Sequence, residues 1–315
     1  MIITKFGGKS LGTIQKVQNV CNYIVSRAKT QKIVVVVSAF GEKTDELIKK
    51  YKEYGGTSTA TAHYDMLLSI GELESAALVT TMLISMGAKA KAMGAAEANI
   101  IAIGNHSSGI ITGINKNAIA EALKTHDIVV VAGFQGINND GEVITLGRNG
   151  SDTTAVALAS AFNTAVEIYS DFDGIYHGDP RRQNFKKISE ISYNDALELA
   201  GSGAPVLSAS SVSIAEQSAT QIIAKASNMP NGFGTFVTNI PKSQITITTK
   251  DNLAKITINF NGNNSNMQKT LKYITNNVNF IDFSAKNSKI ELIIEQNSSK
   301  KIEYTLAKLN NLLEQ

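Results

Sequence analysis

Lys5-Phe6-Gly7-Gly8-Lys9-Ser10 lies between an apolar run and a helical pattern, and it sets the reading of the whole chain. Met1–Phe6 has the character of a strand, whereas Leu11, Ile14, Val17, Cys21, Ile24 and Ala28 mark one helical face. A strand, a glycine turn and a helix make the first unit of an α/β fold. Gly147-Arg148-Asn149-Gly150-Ser151-Asp152-Thr153-Thr154-Ala155 repeats the arrangement further on. Each turn sets a cation and a hydroxyl beside bare backbone. Glycine lets main chain approach a ligand closely, and a helix start offers unpaired N–H groups to an anion. With the acidic turn Ser170-Asp171-Phe172-Asp173-Gly174, the two predict an enzyme that holds several anionic groups at once.

The alternation continues outward. Ile33–Phe40 is a continuous apolar run, the pattern of a strand covered on both faces. Glu72–Met86 reads as a helix ending at Gly87, with Glu72 at its start. Ile100–Ile103, Ile128–Phe134, Ala165–Ser170 and Gln221–Ala226 read as strands. Lys116–Lys124, Thr153–Phe162, Ser192–Ala200 and Val212–Ser218 read as helices. Ser151 and Asp152 fall where an N-cap belongs. Such alternation predicts an α/β fold with a largely parallel sheet, whose ligands gather at the carboxyl ends of strands.

After about Ile240 asparagine becomes frequent and glycine scarce. The order there reads strand (Leu253–Phe260), helix (Met267–Asn276), strand (Val278–Ala285), strand (Lys289–Glu295), helix (Ser299–Leu313), most of a βαββαβ unit.

Composition narrows the function. The 315 residues contain 43% hydrophobic and 18% charged side chains, ordinary for a globular protein, with a net charge of +3. Basic residues are dispersed and not interleaved with aromatics, which argues against a nucleic-acid partner. We expect no membrane partner, because no apolar stretch looks long enough to span one and the start shows no signal-peptide layout. The single cysteine, Cys21, suits a reducing cytoplasm and falls on an apolar face. His63, His106, His126 and His177 lack ligand spacing, and the acids after Ser170 lack the pattern of a calcium loop, so no protein-held metal is expected.

Taken together, the motifs resemble the amino acid kinase superfamily, and within it the aspartokinase family. The segments are Lys5–Ser10, Val34–Gly41 with Thr44-Asp45, Ser69-Ile70-Gly71-Glu72, Phe134–Asp152, Ser170–Tyr176, Asp179-Pro180-Arg181 and Gly203–Ala215, in family order over nearly all of residues 1–240. The resemblance implies a three-layer sandwich with a largely parallel central sheet over residues 1–240, and a single small α+β ACT-like module over 250–315. It implies ATP-dependent phosphorylation of the aspartate side-chain carboxylate, with Mg2+ carried mostly by ATP oxygens and water. Lys5 and Asp152 are then catalytic. Gly7, Gly8, Ser10, Ser170, Asp171, Tyr176 and Arg181 hold the nucleotide, and Thr44, Glu72, Arg148 and Ser151 hold the amino acid. A carboxylate nucleophile is ionised at neutral pH, so no general base is needed. Because ACT modules pair across subunits, a homodimer or larger homo-oligomer follows.

The match departs from the family in places. Where the family usually has threonine or serine this chain has Lys9, and where it has a phosphate-contacting lysine this chain has Pro205; either Lys9 supplies the charge that Pro205 cannot, or the two changes are drift in a weakened enzyme. One ACT-like module instead of two predicts weak or absent inhibition by lysine or threonine. Two other readings stay open at this point: a divergent kinase with another carboxylate substrate, and a non-catalytic subunit that binds an amino acid or a nucleotide.

Overall fold

The computed structural model describes residues 1–176, 187–201, 207–239, 245–250, 253–259, 264–278, 280–286 and 289–295. Arg181, Pro205, His177, the Asp179-Pro180 pair and the helix expected over 299–313 lie outside them. The chain divides into two compact units, one of residues 1–174 with 206–238, the other of 175–205 with 239–315.

The first unit opens with β1 (Ile2–Phe6), a 3-10 turn at Gly8–Ser10, α1 (Ile14–Ala28), β2 (Ile33–Val37), α2 (Lys43–Glu53) and α3 (Ala62–Ser85). It continues through β3 (Ala90–Met93), β4 (Ile100–Ile103), β5 (Ile110–Ile114), α4 (Asn117–Thr125), β6 (Ile128–Ala132), β7 (Gln135–Ile137), β8 (Val143–Thr145), α5 (Gly150–Ala161) and β9 (Val166–Ser170). The second unit holds β10 (Ile175–Tyr176), β11 (Lys187–Ile188), β12 (Glu190–Ser192) and α6 (Tyr193–Gly201). The chain then returns to the first unit with α7 (Ala209–Ser218), β13 (Ile222–Ala226) and β14 (Thr235–Thr238).

The main sheet of the first unit runs β14-β13-β9-β1-β2-β6-β3. All its pairings are parallel except β13 with β14. The Ile-Val-Val-Val-Val run of β2 and the Ile-Val-Val-Val-Ala run of β6 are buried at every position, as their unbroken apolar character requires. On one side α1 and α3 supply Val17, Val20, Ile24, Val79 and Leu83 to a core with Phe6, Val35 and Tyr169. Each such fully buried aliphatic side chain contributes about 1.5–3 kcal/mol. The helix α5 packs over β1, β2 and β9. Because β1 is followed on one flank by β2 and joined much later on the other by β9, the strand order reverses beside β1. A ligand crevice belongs outside the carboxyl end of that strand.

A smaller sheet, β5-β4-β7-β8, lies in the same unit and delivers the chain to Gly147. In the second unit, β15 (Ile245–Lys250), β16 (Leu253–Asn259), α8 (Asn264–Asn277), β17 (Asp282–Lys286) and β18 (Lys289–Glu295) form an antiparallel sheet ordered β15-β16-β18-β17. Ile256, Ile258, Ile290 and Leu292 of that sheet meet Ile274 of α8 in a separate core.

Several expectations need correction. β2 ends at Val37, so Ser38–Phe40 is loop; likewise β6 ends at Ala132. α3 begins at Ala62, which puts Glu72 in mid-helix instead of at a helix start. Ile14, counted on the apolar face of α1, is 80% exposed at the first position of that helix. The N-cap of α5 is Asn149, in the left-handed conformation at φ 58°, so Ser151 and Asp152 occupy the first helical turn. Finally, α3 is long and apolar enough by composition to span a bilayer, contrary to the reading above; half of that stretch is buried inside the protein. The C-terminal order gains β15 ahead of the expected first strand.

Candidate functional site

Both glycine turns open into one cleft of about 710 Å3 in the first unit, a volume suited to small molecules. Lys5, Gly8, Ala39, Thr44, Glu72, Arg148 and Ser151 all line it. Lys5 is the penultimate residue of the central strand β1, its register fixed by β2 and β9 on either side. Its ammonium stands 2.6 Å from Asp152 Oδ1, and both side chains are about nine-tenths buried. The first turn of α5 carries Asp152, so a helix N-terminus and a cation hold the same carboxylate.

The first turn is packed so tightly that a side chain has no room. A Cβ at Gly8 would sit 2.6 Å from the Ala39 carbonyl oxygen. The Gly8 carbonyl accepts from Gly41 N at 3.1 Å, which binds the turn to the loop after β2. Ser10 is buried, and its hydroxyl has no hydrogen-bond partner among the described residues. A buried hydroxyl without a partner is costly unless a ligand meets it.

Glu72 has the more unusual setting. It is 4% exposed; Oε1 accepts from Ala39 N at 3.0 Å, while Oε2 has no hydrogen-bond partner among the described residues. Burial pushes its carboxyl up to about 7, although the Ala39 amide and the Lys5 ammonium pull the other way. Such a group favours a cationic ligand strongly, because an ammonium would satisfy the free oxygen and stabilise the ionised form. Arg148 lies in the same cleft, exposed, and makes no ion pair among the described residues. A guanidinium there can take a carboxylate bidentately. A buried acid with one unsatisfied oxygen and an open arginine within one cleft set opposite charges where a zwitterionic small molecule can meet both.

Sequence reasoning missed Asp65. It is completely buried on α3 and accepts from Thr145 N at 2.8 Å, Thr145 Oγ1 at 2.6 Å and Ser107 N at 3.0 Å, with His106 Nδ1 at 3.1 Å. Asp65 thereby ties helix α3 to the end of β8 and to the loop after β4. Ser107 and Thr145 both line the cleft, and β8 leads through Gly147 (φ 73°) to Arg148. Phe134, Ser107 and Asn149 around this wall all have positive φ, at 70°, 66° and 58°. Residues other than glycine rarely hold that conformation unless their surroundings enforce it. The HxD spacing at His63–Asp65 carries no signal for this role, since the partners come from a loop 42 residues away and a strand end 80 residues away.

On the nucleotide-type side, Ser170 Oγ caps its own turn by accepting from Phe172 N at 3.1 Å. Asp171 pairs with Lys9 Nζ at 3.2 Å, both largely exposed. Gly7 N donates to the Tyr169 carbonyl at 3.3 Å, so the first turn abuts the strand that carries Ser170. Tyr176 belongs to the second unit, and Arg181 lies outside the described residues. Cys21 is core: burial raises its thiol to about 12. Beneath the turn, Glu167 is buried among Arg27, Tyr169 (2.8 Å) and Lys225 (3.6 Å), a closed ionic group that anchors α1 to β9 and β13. Among the described residues no group of three His, Cys, Asp or Glu side chains could hold a metal ion.

Comparison with known proteins now bears on this geometry. Residues 1–225 match the model of the amino acid kinase family. Aspartokinase of Geobacillus stearothermophilus is 41% identical over 240 residues, which cover 75% of this chain and 58% of that protein. Aspartokinase of Corynebacterium glutamicum is 41% identical over 219 residues, 68% of this chain and 52% of its own length. The chain thus spans little more than half the length of these relatives. Aspartate kinase from Synechocystis superposes with a TM-score of 0.67 at 26% identity, over all of this chain and 70% of that one.

Proposed function

This chain belongs to the amino acid kinase family, and on that premise we propose that it is an aspartate kinase. It transfers the γ-phosphoryl group of ATP to the side-chain carboxylate of L-aspartate, giving 4-phospho-L-aspartate and ADP, the entry step of aspartate-family amino acid synthesis. One observation carries the reading: Lys5, Glu72 and Arg148, drawn from three distant parts of the chain, face one cleft.

The roles follow from charge. Glu72 takes the substrate ammonium and Arg148 the α-carboxylate, with Thr44 and Ser151 adding hydroxyls, so the side-chain carboxylate is turned toward Lys5. Two anions must then meet, which is the main obstacle to this reaction. Lys5 neutralises the transferring phosphoryl group, and Asp152 holds the ammonium in place. A carboxylate oxygen forms a bond to phosphorus as the bond to the ADP oxygen breaks; no proton moves. Gly7, Gly8 and the free hydroxyl of Ser10 contact the phosphates, while Ser170, Asp171, Tyr176 and Arg181 serve the rest of the nucleotide. Mg2+ arrives with ATP and is held chiefly by phosphate oxygens and water.

We assign residues 1–240 to the catalytic domain and 250–315 to a single ACT-like module that pairs across subunits in a homodimer, with the protein working in the cytoplasm. Lys9, placed in the phosphate turn and paired with Asp171, supplies an added cation to the nucleotide side. Trapping the acyl phosphate with hydroxylamine, over a panel of amino acids, tests the reading. ATP-dependent aspartate hydroxamate supports it. Hydroxamate from another acid alone identifies a divergent kinase, and aspartate binding without turnover identifies a binding subunit.

A further inference from the structure

Beneath the Gly7–Gly8 turn, the group around Glu167 is a ring of hydrogen bonds that can run in one direction only. Arg27 Nη1 donates to Glu167 Oε2 and, at 2.8 Å, to the Tyr23 hydroxyl. The Tyr23 and Tyr169 hydroxyls are 2.7 Å apart, and Tyr169 donates to Glu167 Oε2 at 2.8 Å. A guanidinium only donates and an ionised carboxylate only accepts. The Tyr23 proton therefore points at Tyr169, and the Tyr169 proton at Glu167. Burial first, then the Glu167 charge, raises the Tyr169 phenol, which keeps it a neutral donor. Lys225 Nζ lies 3.6 Å from the other oxygen, Oε1.

This is a costly way to fill a core. Glu167 is 6% exposed and Tyr169 fully buried, and apolar side chains in place of buried charges often hold a fold as well or better. What the ring secures is Tyr169. Its register partners on the flanking strands are Phe6 and Lys225. The Tyr169 ring stacks on that of Phe6, with centroids 4.6 Å apart and planes within 6°, and Tyr23 meets it edge-on at 5.7 Å. The Lys225 ammonium stands 5.6 Å from its centroid, and its carbonyl accepts from Gly7 N at 3.3 Å. Phe6 and Gly7 directly follow Lys5, and Ser170 directly follows Tyr169. One residue thus grips the start of the glycine turn by side chain and main chain, and sets its distance from the Ser170 turn. Stacking alone lets a ring slide in its plane. A hydroxyl tied to a fixed carboxylate does not.

We propose that Glu167, acting through the Tyr169 phenol, is a positioning residue for the nucleotide phosphates, holding the Gly7–Gly8 turn in register with Lys5 and Ser170. Neither Glu167 nor Tyr169 lines the cleft, so the effect passes through the Phe6 ring and the Gly7 amide. The inference rests on the kinase reading and concerns its nucleotide half alone. The amino-acid half is carried by α3 and the Gly147–Gly150 turn, which this ring does not touch.

Calorimetric titration of ADP into the full chain, with steady-state kinetics beside it, tests this. Y169F removes one oxygen and keeps both the ring on Phe6 and the carbonyl on Gly7. Y169F and E167Q should each weaken ADP binding and raise the ATP KM about 10-fold, the scale of one hydrogen bond to a charged group, with the aspartate KM changed less than about 2-fold. The double variant should be no worse than E167Q, because both changes cut one link; independent damage would compound to about 100-fold. Y169F decides the matter should E167Q fold poorly. An unchanged ATP KM in Y169F, equal rises in both KM values, or compounding in the double variant would each overturn the proposal. Wild type that binds no ADP would sink the kinase reading with it, whereas equal ADP binding by wild type and Y169F sinks this inference alone.

Discussion

Asp65 and Glu72 stand two turns apart on α3, both buried, and the protein treats them in opposite ways. Asp65 is surrounded by donors: the Thr145 amide and hydroxyl, the Ser107 amide and His106. Glu72 has the Ala39 amide on one oxygen and nothing on the other among the described residues. Burial costs both carboxylates their water, but only Asp65 recovers the loss within the fold. A saturated buried acid is scaffold. An unsaturated one favours any cation that can reach it.

Substitution at Glu72 should separate the two most. Glu72→Gln is expected to lower kcat/KM for aspartate by on the order of 10²–10³-fold, the cost of losing one partner of a buried charge pair, with the ATP KM unchanged. Thermal stability should stay level or rise, and a marked fall in Tm would show that Glu72 is scaffold after all. Asp65→Asn should show the reverse emphasis, because the amide turns donors toward donors. A loss of about 2–3 kcal/mol of stability is expected in denaturant titrations, with the aspartate KM raised through the Arg148 loop and the ATP KM little changed. Equal rises in both KM values would deny Asp65 its link to that loop.

The raised Glu72 pKa sharpens the contrast by pH. Its folded value of about 7 lies above the ordinary 4.5, so between those limits the native state binds the extra proton. Stability from this group is therefore greatest below about pH 4.5 and declines as pH rises toward 7, by about 3 kcal/mol in all. Aspartate binding should move oppositely, tightening about 10-fold from pH 6 to 8 as the carboxylate ionises. A flat aspartate affinity over that range in wild type, measured calorimetrically, would contradict the assignment. The smallest effect belongs to Lys9, whose pair with Asp171 is solvent-exposed and is worth little by itself. Lys9→Thr should raise the ATP KM about 3-fold through loss of one phosphate contact; an unchanged value would mean that Lys9 does not compensate for Pro205.

Much of this was legible beforehand. The Ile33–Val37 and Ile128–Val131 runs announce strands covered on both faces, and the glycine turns at 7–8 and 147–150 announce ligand approach. Residues before 240 lacked a signal where partners are distant. The helical pattern at Glu72–Met86 misses the first ten residues of α3, since the apolar character of Leu67, Leu68 and Ile70 has no single periodic face. Its residues are divided among a core, a cleft and an exposed ridge, and no amphipathic pattern can serve all three. The polar segment Lys43–Glu53 has too few apolar positions to announce a helix, yet it forms α2, whose one buried residue is Leu47.

Order along the chain sufficed for the strands, the turns and the chemistry each turn can offer, because backbone conformation and side-chain charge are local properties. Tertiary packing alone decided that Lys5 meets Asp152 across 147 residues, that Asp65 is quenched and that Glu72 is not. Those outcomes depend on which donors and how much water surround a charge, and both are set by residues far away in sequence.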